Sequence, residues 1–422
     1  MIKSFRSLFS EYPKSFRILV GATFIDRLGG ALIFPFLSLY IAQKFNVGMT
    51  QVGLLFGIWS ASSLVGSMIG GALADRLGRK VMLLFGLVFS AATAVLMGVV
   101  NELNWFFLLT TIAGFFSDMG HPAQQAMVAD LLPIKTRAEG FAMLRVVANL
   151  AIVFGPVIGG FLTGIVSYLT LFIIDAFASL TTATIVYFTI AETKPEKAID
   201  QKPERMLQIM AGYAKVVKDR LFVAFVMVSI LMILVYTQMY STLSVFLNRV
   251  HQVPASGFGM MMSMNALMVV LFQFWISRKI KSFPPMLLMM VGTALYGIGF
   301  TMFGFVSAFW LFMLAMAIIT VGEMIHIPTS QSLAAMFAPE DMRGRYMAFF
   351  SLGWIIPNIF GSFSAGLVMD NFNPNYVWYI AGFLSLLAFL GYGYLHSRAS
   401  QRFSAVKPGE PEPASPADPG GD

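Results

Sequence analysis

The chain has 422 residues, 57% of them hydrophobic and only 12% charged, with a net charge of +7 and a mean hydropathy of +0.75. A soluble domain carries about 25% charged residues, so a soluble fold of this length has no way to hide this much apolar surface, and a bilayer is the expected solvent. Cysteine is absent and the four histidines are scattered, which excludes disulfides and thiolate sites, argues against zinc, and leaves no cofactor implied.

In chain order, residues 1–16 are basic and amphipathic and lack a small-residue cleavage site. They are expected to lie on the membrane surface as a cytoplasmic segment. A bilayer core takes about 20 apolar residues per helix. Candidate spans follow near 17–42, 49–74, 80–101, 104–131, 138–165 and 169–191. After a polar linker over 192–219, six more lie near 220–248, 255–277, 284–306, 308–337, 343–369 and 375–396. The expected fold class is an all-α membrane protein, with twelve transmembrane helices in two pseudo-symmetric six-helix bundles over 17–191 and 220–396. The tail, 397–422, ends in KPGEPEPASPADPGGD, and its composition predicts disorder.

Loop charges set the direction. Of the 28 Lys and Arg, 24 fall on the side of the termini, only Lys44 and Arg249 on the other, and Arg27 and Arg145 inside spans. This alternation supports twelve spans and predicts both termini in the cytoplasm of a cell-membrane protein. It also places the basic residues where they orient the chain rather than on a nucleic-acid face. A shift of 206 residues superposes Pro122 on Pro328, Pro133 on Pro339, Arg137 on Arg343, Gly155 on Gly361 and Gly160 on Gly366. The halves therefore read as a duplication, a pattern found in secondary transporters with parallel repeats.

Between spans two and three the chain reads Gly70-Gly71-Ala72-Leu73-Ala74-Asp75-Arg76-Leu77-Gly78-Arg79-Lys80. This resembles the loop signature of the major facilitator superfamily, in the place where that family carries it. The glycines suit a tight turn, Asp75 suits the positive N-terminus of the span beginning near Arg343, and Arg79 is within reach of Asp130. The resemblance implies that Gly71, Asp75, Arg76, Gly78, Arg79 and Asp130 latch the halves in the outward-facing state. In the second half the matching loop, 276–281, has lost the acid and the glycines, so one latch is expected. Gly155, Pro156, Gly159 and Gly160 in span five resemble the motif of the antiporter branches, with Ala151 in place of the leading glycine. Read from the residues alone, they are a packing kink. The chain resembles the drug:proton antiporter (multidrug efflux) branch, but the Arg that the family often carries in span four is missing from 110–114.

Ionisable groups at membrane depth are costly and usually functional. Asp26, Arg27, Asp118 and Arg145 are each expected about 12–18 Å inside the membrane, from a rise of about 1.5 Å per residue. They read either as one network, with Arg145 replacing the absent Arg, or as structural ion pairs. Glu323 is expected near the bilayer centre without a basic partner, where it is suited to carrying a proton. His326, one turn along, reads as a relay or as a hydrogen-bonded core residue. Asp175 reads as structural. Phe34, Tyr236, Tyr240 and Trp354 are candidate cavity residues.

These features together predict a monomeric, proton-gradient-driven exporter of hydrophobic, or cationic, small molecules working by alternating access. It contacts lipid, protons and its substrate but no nucleic acid. An importer of sugars or organic acids, a lipid or glycolipid translocator, and a non-transporting receptor are the alternatives. The few inward Asn and Gln (Gln124, Asn265 and Gln273 among them) disfavour a sugar, and no nucleophile–base or paired catalytic carboxylate spacing points to an enzyme.

Overall fold

The computed structural model describes residues 12–133, 136–194, 214–280, 282–339 and 342–404. Expectations for residues 1–11, for 195–213 of the linker and for 405–422 of the tail lie outside the described residues. The chain is a multi-pass α-helical membrane protein. Its helices are α1 (Lys14–Ile33), α2 (Leu37–Lys44), α3 (Met49–Leu77), α4 (Arg79–Val99), α5 (Leu103–Ser117), α6 (Gly120–Leu131), α7 (Arg137–Leu162) and α8 (Tyr168–Thr189). They continue with α9 (Arg220–Ser241), α10 (Leu243–His251), α11 (Ala255–Ile280), α12 (Pro285–Met302), α13 (Phe309–Phe337), α14 (Arg343–Asn371) and α15 (Tyr376–Ser404).

Prolines explain where apolar runs break. A 3-10 turn over Phe34–Phe36 divides α1 from α2 at Pro35, whose nitrogen has no proton for the helical hydrogen bond. Eleven helices among the described residues are long and apolar enough to cross a bilayer, whereas the sequence predicts twelve. The difference is the expected span 104–131, which forms two pieces, α5 of 15 residues and α6 of 12. Pro122 cannot donate to the Asp118 carbonyl; the His121 N–H takes that oxygen instead at 3.2 Å and the chain turns.

Within residues 14–189, α1 packs on α7 and α8, α3 on α5, and α4 on α8. Within 220–404, α12 packs on α13 and α15, and α9 on α14 and α15. Two further pairs, α3–α14 and α7–α11, join these groups. Absent side chains let their backbones approach. Gly53 on α3 faces the Ser362 carbonyl, and Gly366 on α14 faces that of Met49. Gly259 on α11 faces the Pro156 carbonyl, and an added Cβ on Gly160 would lie 3.1 Å from that of Ala255. Each contact of the first pair lies 206 residues from its counterpart in the second. Ser38 Oγ and Ser244 Oγ, also 206 residues apart, meet at 2.8 Å.

These joining contacts gather at the end of the molecule bearing the turns at 45–48, 163–167, 252–254 and 372–375, the far end. There Arg249 also donates to the carbonyls of Ala42 at 3.2 Å and Val47 at 2.9 Å. Toward the near end, which bears Gly78 and the start of α7 at Arg137, α3 turns its glycines elsewhere. Gly66 and Gly70 face the carbonyls of Phe115 and Met119.

Candidate functional site

A cavity of ≈ 480 Å³ lies among residues 19–186. Asp26 and Arg27 of α1, Asp118 at the α5–α6 break, His121 and Gln124 of α6, and Asp175 and Ser179 of α8 line it. Trp59, Met97 and Phe172 form apolar wall, and Phe34 joins them. The α5–α6 break is what aims Asp118 inward: irregular backbone at membrane depth is tolerated where it lines a cavity. The Ser63 hydroxyl donates to Asp118 Oδ2, and Ser179 Oγ donates to Asp26 Oδ1 at 2.8 Å. Gln124 Nε2 donates to Thr23 Oγ1 at 2.7 Å.

The structure thus brings Asp26, Arg27 and Asp118 to one cavity. Arg145 is exposed on α7 and does not line it. Asp175, which the sequence suggests is structural, takes a place in the wall because Gly29 and Gly30 leave room beside it; an added Cβ on Gly29 would sit 3.0 Å from Asp175 Oδ1. Its signal in the sequence was an acid at depth followed four residues later by the hydroxyl that binds Asp26. Carboxyls gathered in such a space favour a cation or protons as company.

Glu323 forms a separate centre on α13. Its Oε1 accepts from the Tyr236 hydroxyl at 3.0 Å and its Oε2 from Asn265 Nδ2 at 2.8 Å. Asn265 also donates to Thr320 Oγ1 at 3.0 Å, so the amide is fixed from both sides. Tyr236 meets Tyr240 through their hydroxyls at 3.3 Å and packs edge-on against Trp354. His326 is buried with Nε2 3.4 Å from the Tyr392 hydroxyl. It makes no hydrogen bond to Glu323 among the described residues. Asn265 was legible only as a polar residue in an apolar span; its partner depends on how α11 meets α13.

At the near end Arg79 pairs with Asp130 and lies 3.6 Å from Asp75, which is 73% exposed. Gly78 has φ +113°, a region open to glycine at little cost, and it lets α4 start one residue after α3 ends. Gly71 faces Pro122, and the Arg76 carbonyl accepts from Lys194 Nζ at 2.7 Å. Glu192 caps α4, accepting from the Arg79 N–H at 2.8 Å. Partial burial pushes the Glu192 carboxyl up, but backbone N–H groups of Lys194, Arg79, Lys80 and Thr193 outweigh it and hold the group below its usual range. In α7, Gly155 and Gly159 face Ala31 and Leu32 of α1, while Pro156 and Gly160 face α11. The motif therefore wedges α7 between two helices.

No group of three or more His, Cys, Asp or Glu able to hold a metal occurs among the described residues. The family model of the Major Facilitator Superfamily matches residues 19–334 and 240–419. The chain is 29% identical over 414 residues to the Na(+), Li(+), K(+)/H(+) antiporter of Planococcus maritimus, covering 91% of this chain and 96% of that one. It is 24% identical to multidrug resistance protein MdtH of Shigella sonnei, covering 89% and 93%. Among solved structures, a POT family transporter superposes with a TM-score of 0.77 at 15% identity, covering 93% of this chain and 97% of that one. The nucleoside transporter NupG superposes with a TM-score of 0.77 at 15% identity, covering 90% and 100%.

Proposed function

The chain belongs to the major facilitator superfamily and is a secondary active transporter of small molecules, not an enzyme; from that premise we propose that it exports a small cationic solute in exchange for protons. The observation that carries this reading is the cavity where Asp26, Asp118 and Asp175 face Arg27 amid aromatic and aliphatic wall. Three acids against one permanent cation, Arg27, with His121 beside it, leave room for added positive charge, and the apolar wall suits an organic cation as well as a bare one. The cation antiporter and multidrug relatives point the same way.

In this reading α5 and α6 together make the twelfth crossing. At about 1.5 Å per residue their 27 residues reach about 40 Å, more than a bilayer core of about 30 Å needs. Residues 17–191 and 220–396 are two related halves joined by 192–219, with both termini in the cytoplasm. Support comes from Ser38 and Ser244: at a two-fold axis equivalent residues meet one another, and these are one repeat length apart. Glu323, held by Tyr236 and Asn265, takes up and releases the proton, while Asp26 and Asp118 hold the solute. The Arg79–Asp130 pair and Asp75 belong to the near-end latch.

A second reading is import of a polar solute such as a sugar or organic acid. Thr23, Ser90, Thr93, Ser117, Gln124, Ser179 and Thr182 give the same cavity a wall of hydroxyl and amide groups, which suits a neutral hydrogen-bonding cargo. Proteoliposomes with an imposed pH gradient separate the two. Sodium, potassium or tetraphenylphosphonium added singly should dissipate the gradient if the first reading holds. Sugar or carboxylate uptake down the proton gradient would establish the second. Glu323→Gln should uncouple proton flux in either case, and unchanged flux in that variant would sink the coupling role.

A further inference from the structure

Helices α3 and α14 run antiparallel, and each ends in an acid near the other's beginning. Asp370, the penultimate residue of α14, accepts from the Met49 N–H at 2.8 Å and the Thr50 N–H at 2.7 Å, the first two residues of α3. An aspartate at a helix C-terminus is disfavoured by its own helix dipole and favoured at the N-terminus of another. It also satisfies two of the N–H groups that a helix start leaves free. Gly48 makes the approach possible, since a Cβ there would lie 2.7 Å from Asp370 Cγ. At the opposite end of the same pair, Asp75 lies in the last turn of α3, near-mirroring Asp370; both acids are exposed, and Asp75 has Arg79 as its neighbour among the described residues.

We propose that Asp370 is the far-end latch of the transport cycle: it holds α3 against α14 while the near end is open, and it alternates with Asp75, which engages the start of α14 when the near end closes. The two are mutually exclusive because a rigid antiparallel pair that closes at one end parts at the other. Both latches act on one helix pair only. One repeat length away, Asp370 corresponds to Gly164 and Asp75 to Lys281, so the α7–α11 pair keeps the glycine contacts without the acids. This inference rests on the transporter reading but not on cargo or direction.

The cysteine-free chain allows a pair of spin labels at Gln51 and Asn373, both exposed at the far end, with distances read in lipid nanodiscs without substrate. Asp370→Ala should move the population toward the long, far-end-open distance by roughly tenfold, the scale of losing a helix cap. Asp370→Asn, which keeps an accepting oxygen, should move it less. Gly48→Ala, which pushes the carboxylate away without altering it, should act in the same direction as Asp370→Ala and carries the test if that variant does not accumulate. Asp75→Ala should shift the population the opposite way. Unchanged distances in both Asp370→Ala and Gly48→Ala, or a shift of the same sign from Asp75→Ala, would overturn the latch. A shift with the expected signs in a protein that moves no cation or sugar would leave the latch standing and refute the proposed cargo.

Discussion

The α3 helix offers a matched pair of substitutions that separates what closes the far end from what merely holds the protein together. A Cβ on Gly57 would lie 2.5 Å from the Ile359 carbonyl on α14, and a Cβ on Gly70 would lie 2.5 Å from the Met119 carbonyl beside α6. Ordinary contact begins at 3.4 Å, so either alanine forces its helix pair apart by about 1 Å, enough to forfeit a quarter to a half of the local dispersion energy. Overpacking of this kind costs about 1–3 kcal/mol. For Gly57→Ala the strain is present only while α3 and α14 are closed at the far end. It should therefore appear as a shift toward the far-end-open state of about 5- to 150-fold. For Gly70→Ala the strain is expected in every state of the proposed cycle, because α3 and α6 pack together within residues 14–189. It should appear as a lower thermal midpoint with little change in the Gln51–Asn373 distance distribution. The assay is that spin-label distance beside fluorescence-detected thermal unfolding. Equal distance shifts from both alanines, or none from Gly57→Ala, would refute the reasoning.

Other outcomes follow from the near end. Gly78→Ala places a side chain at φ +113° and 2.9 Å from the Glu192 carboxyl carbon; it should lower stability by about 1–3 kcal/mol, read as a thermal midpoint. Arg79→Gln leaves Asp130 without its ionic partner; since both groups are mostly shielded, it should cost about 1–3 kcal/mol, whereas Arg79→Lys should recover part of that. Glu192 has a depressed carboxyl in the folded protein, so its contribution is complete above the unfolded value of about 4.3 and is lost as pH falls through the lower folded value. The thermal midpoint of the parent should consequently drop more steeply than that of Glu192→Gln on acidification from about pH 5 to pH 3, and parallel curves would exclude the cap.

Loop charge and apolar length made most of the helices legible, because both are properties of single residues summed over a stretch. What the sequence hides is whether a proline breaks a helix. Pro122 and Pro328 are one repeat length apart, yet α6 starts afresh at the first while α13 runs unbroken through the second. Proline orphans the carbonyl four residues before it. For Pro328 that carbonyl is Met324's, and Gln273 Nε2 on α11 supplies the missing donor at 3.0 Å. At Pro122 the carbonyl is Asp118's, and the backbone bends to satisfy itself through His121. The donor at Pro328 comes from another helix, which no local pattern encodes. The same limit applies to the site. Asp26, Arg27 and Asp118 were legible as charges at depth, and the structure sets them in one cavity. Asp175, Asn265 and the exclusion of Arg145 depend on which face of a helix meets which neighbour.

The contacts that recur one repeat length apart bear on the proposed transport cycle. Gly53 and Gly259, like Gly160 and Gly366, occupy equivalent places and bring equivalent carbonyls into contact. A Cβ on Gly53, Gly259 or Gly366 would overlap the facing carbonyl and part its helix pair at the far end, and one on Gly160 would be tight at 3.1 Å. Charge obeys no such constraint. In the proposed cycle a latch on one helix pair is enough to close one end, since the other pair follows as a rigid body. The backbone contacts recur one repeat length apart, while in the sequence Asp370 corresponds to Gly164 and Asp75 to Lys281. The same reasoning applies inside the membrane, where Asp118 has Met324 as its repeat counterpart and Glu323 has Ser117. In the proposed cycle, shape has to match one repeat length apart for the molecule to rock, whereas binding and proton transfer each need one site.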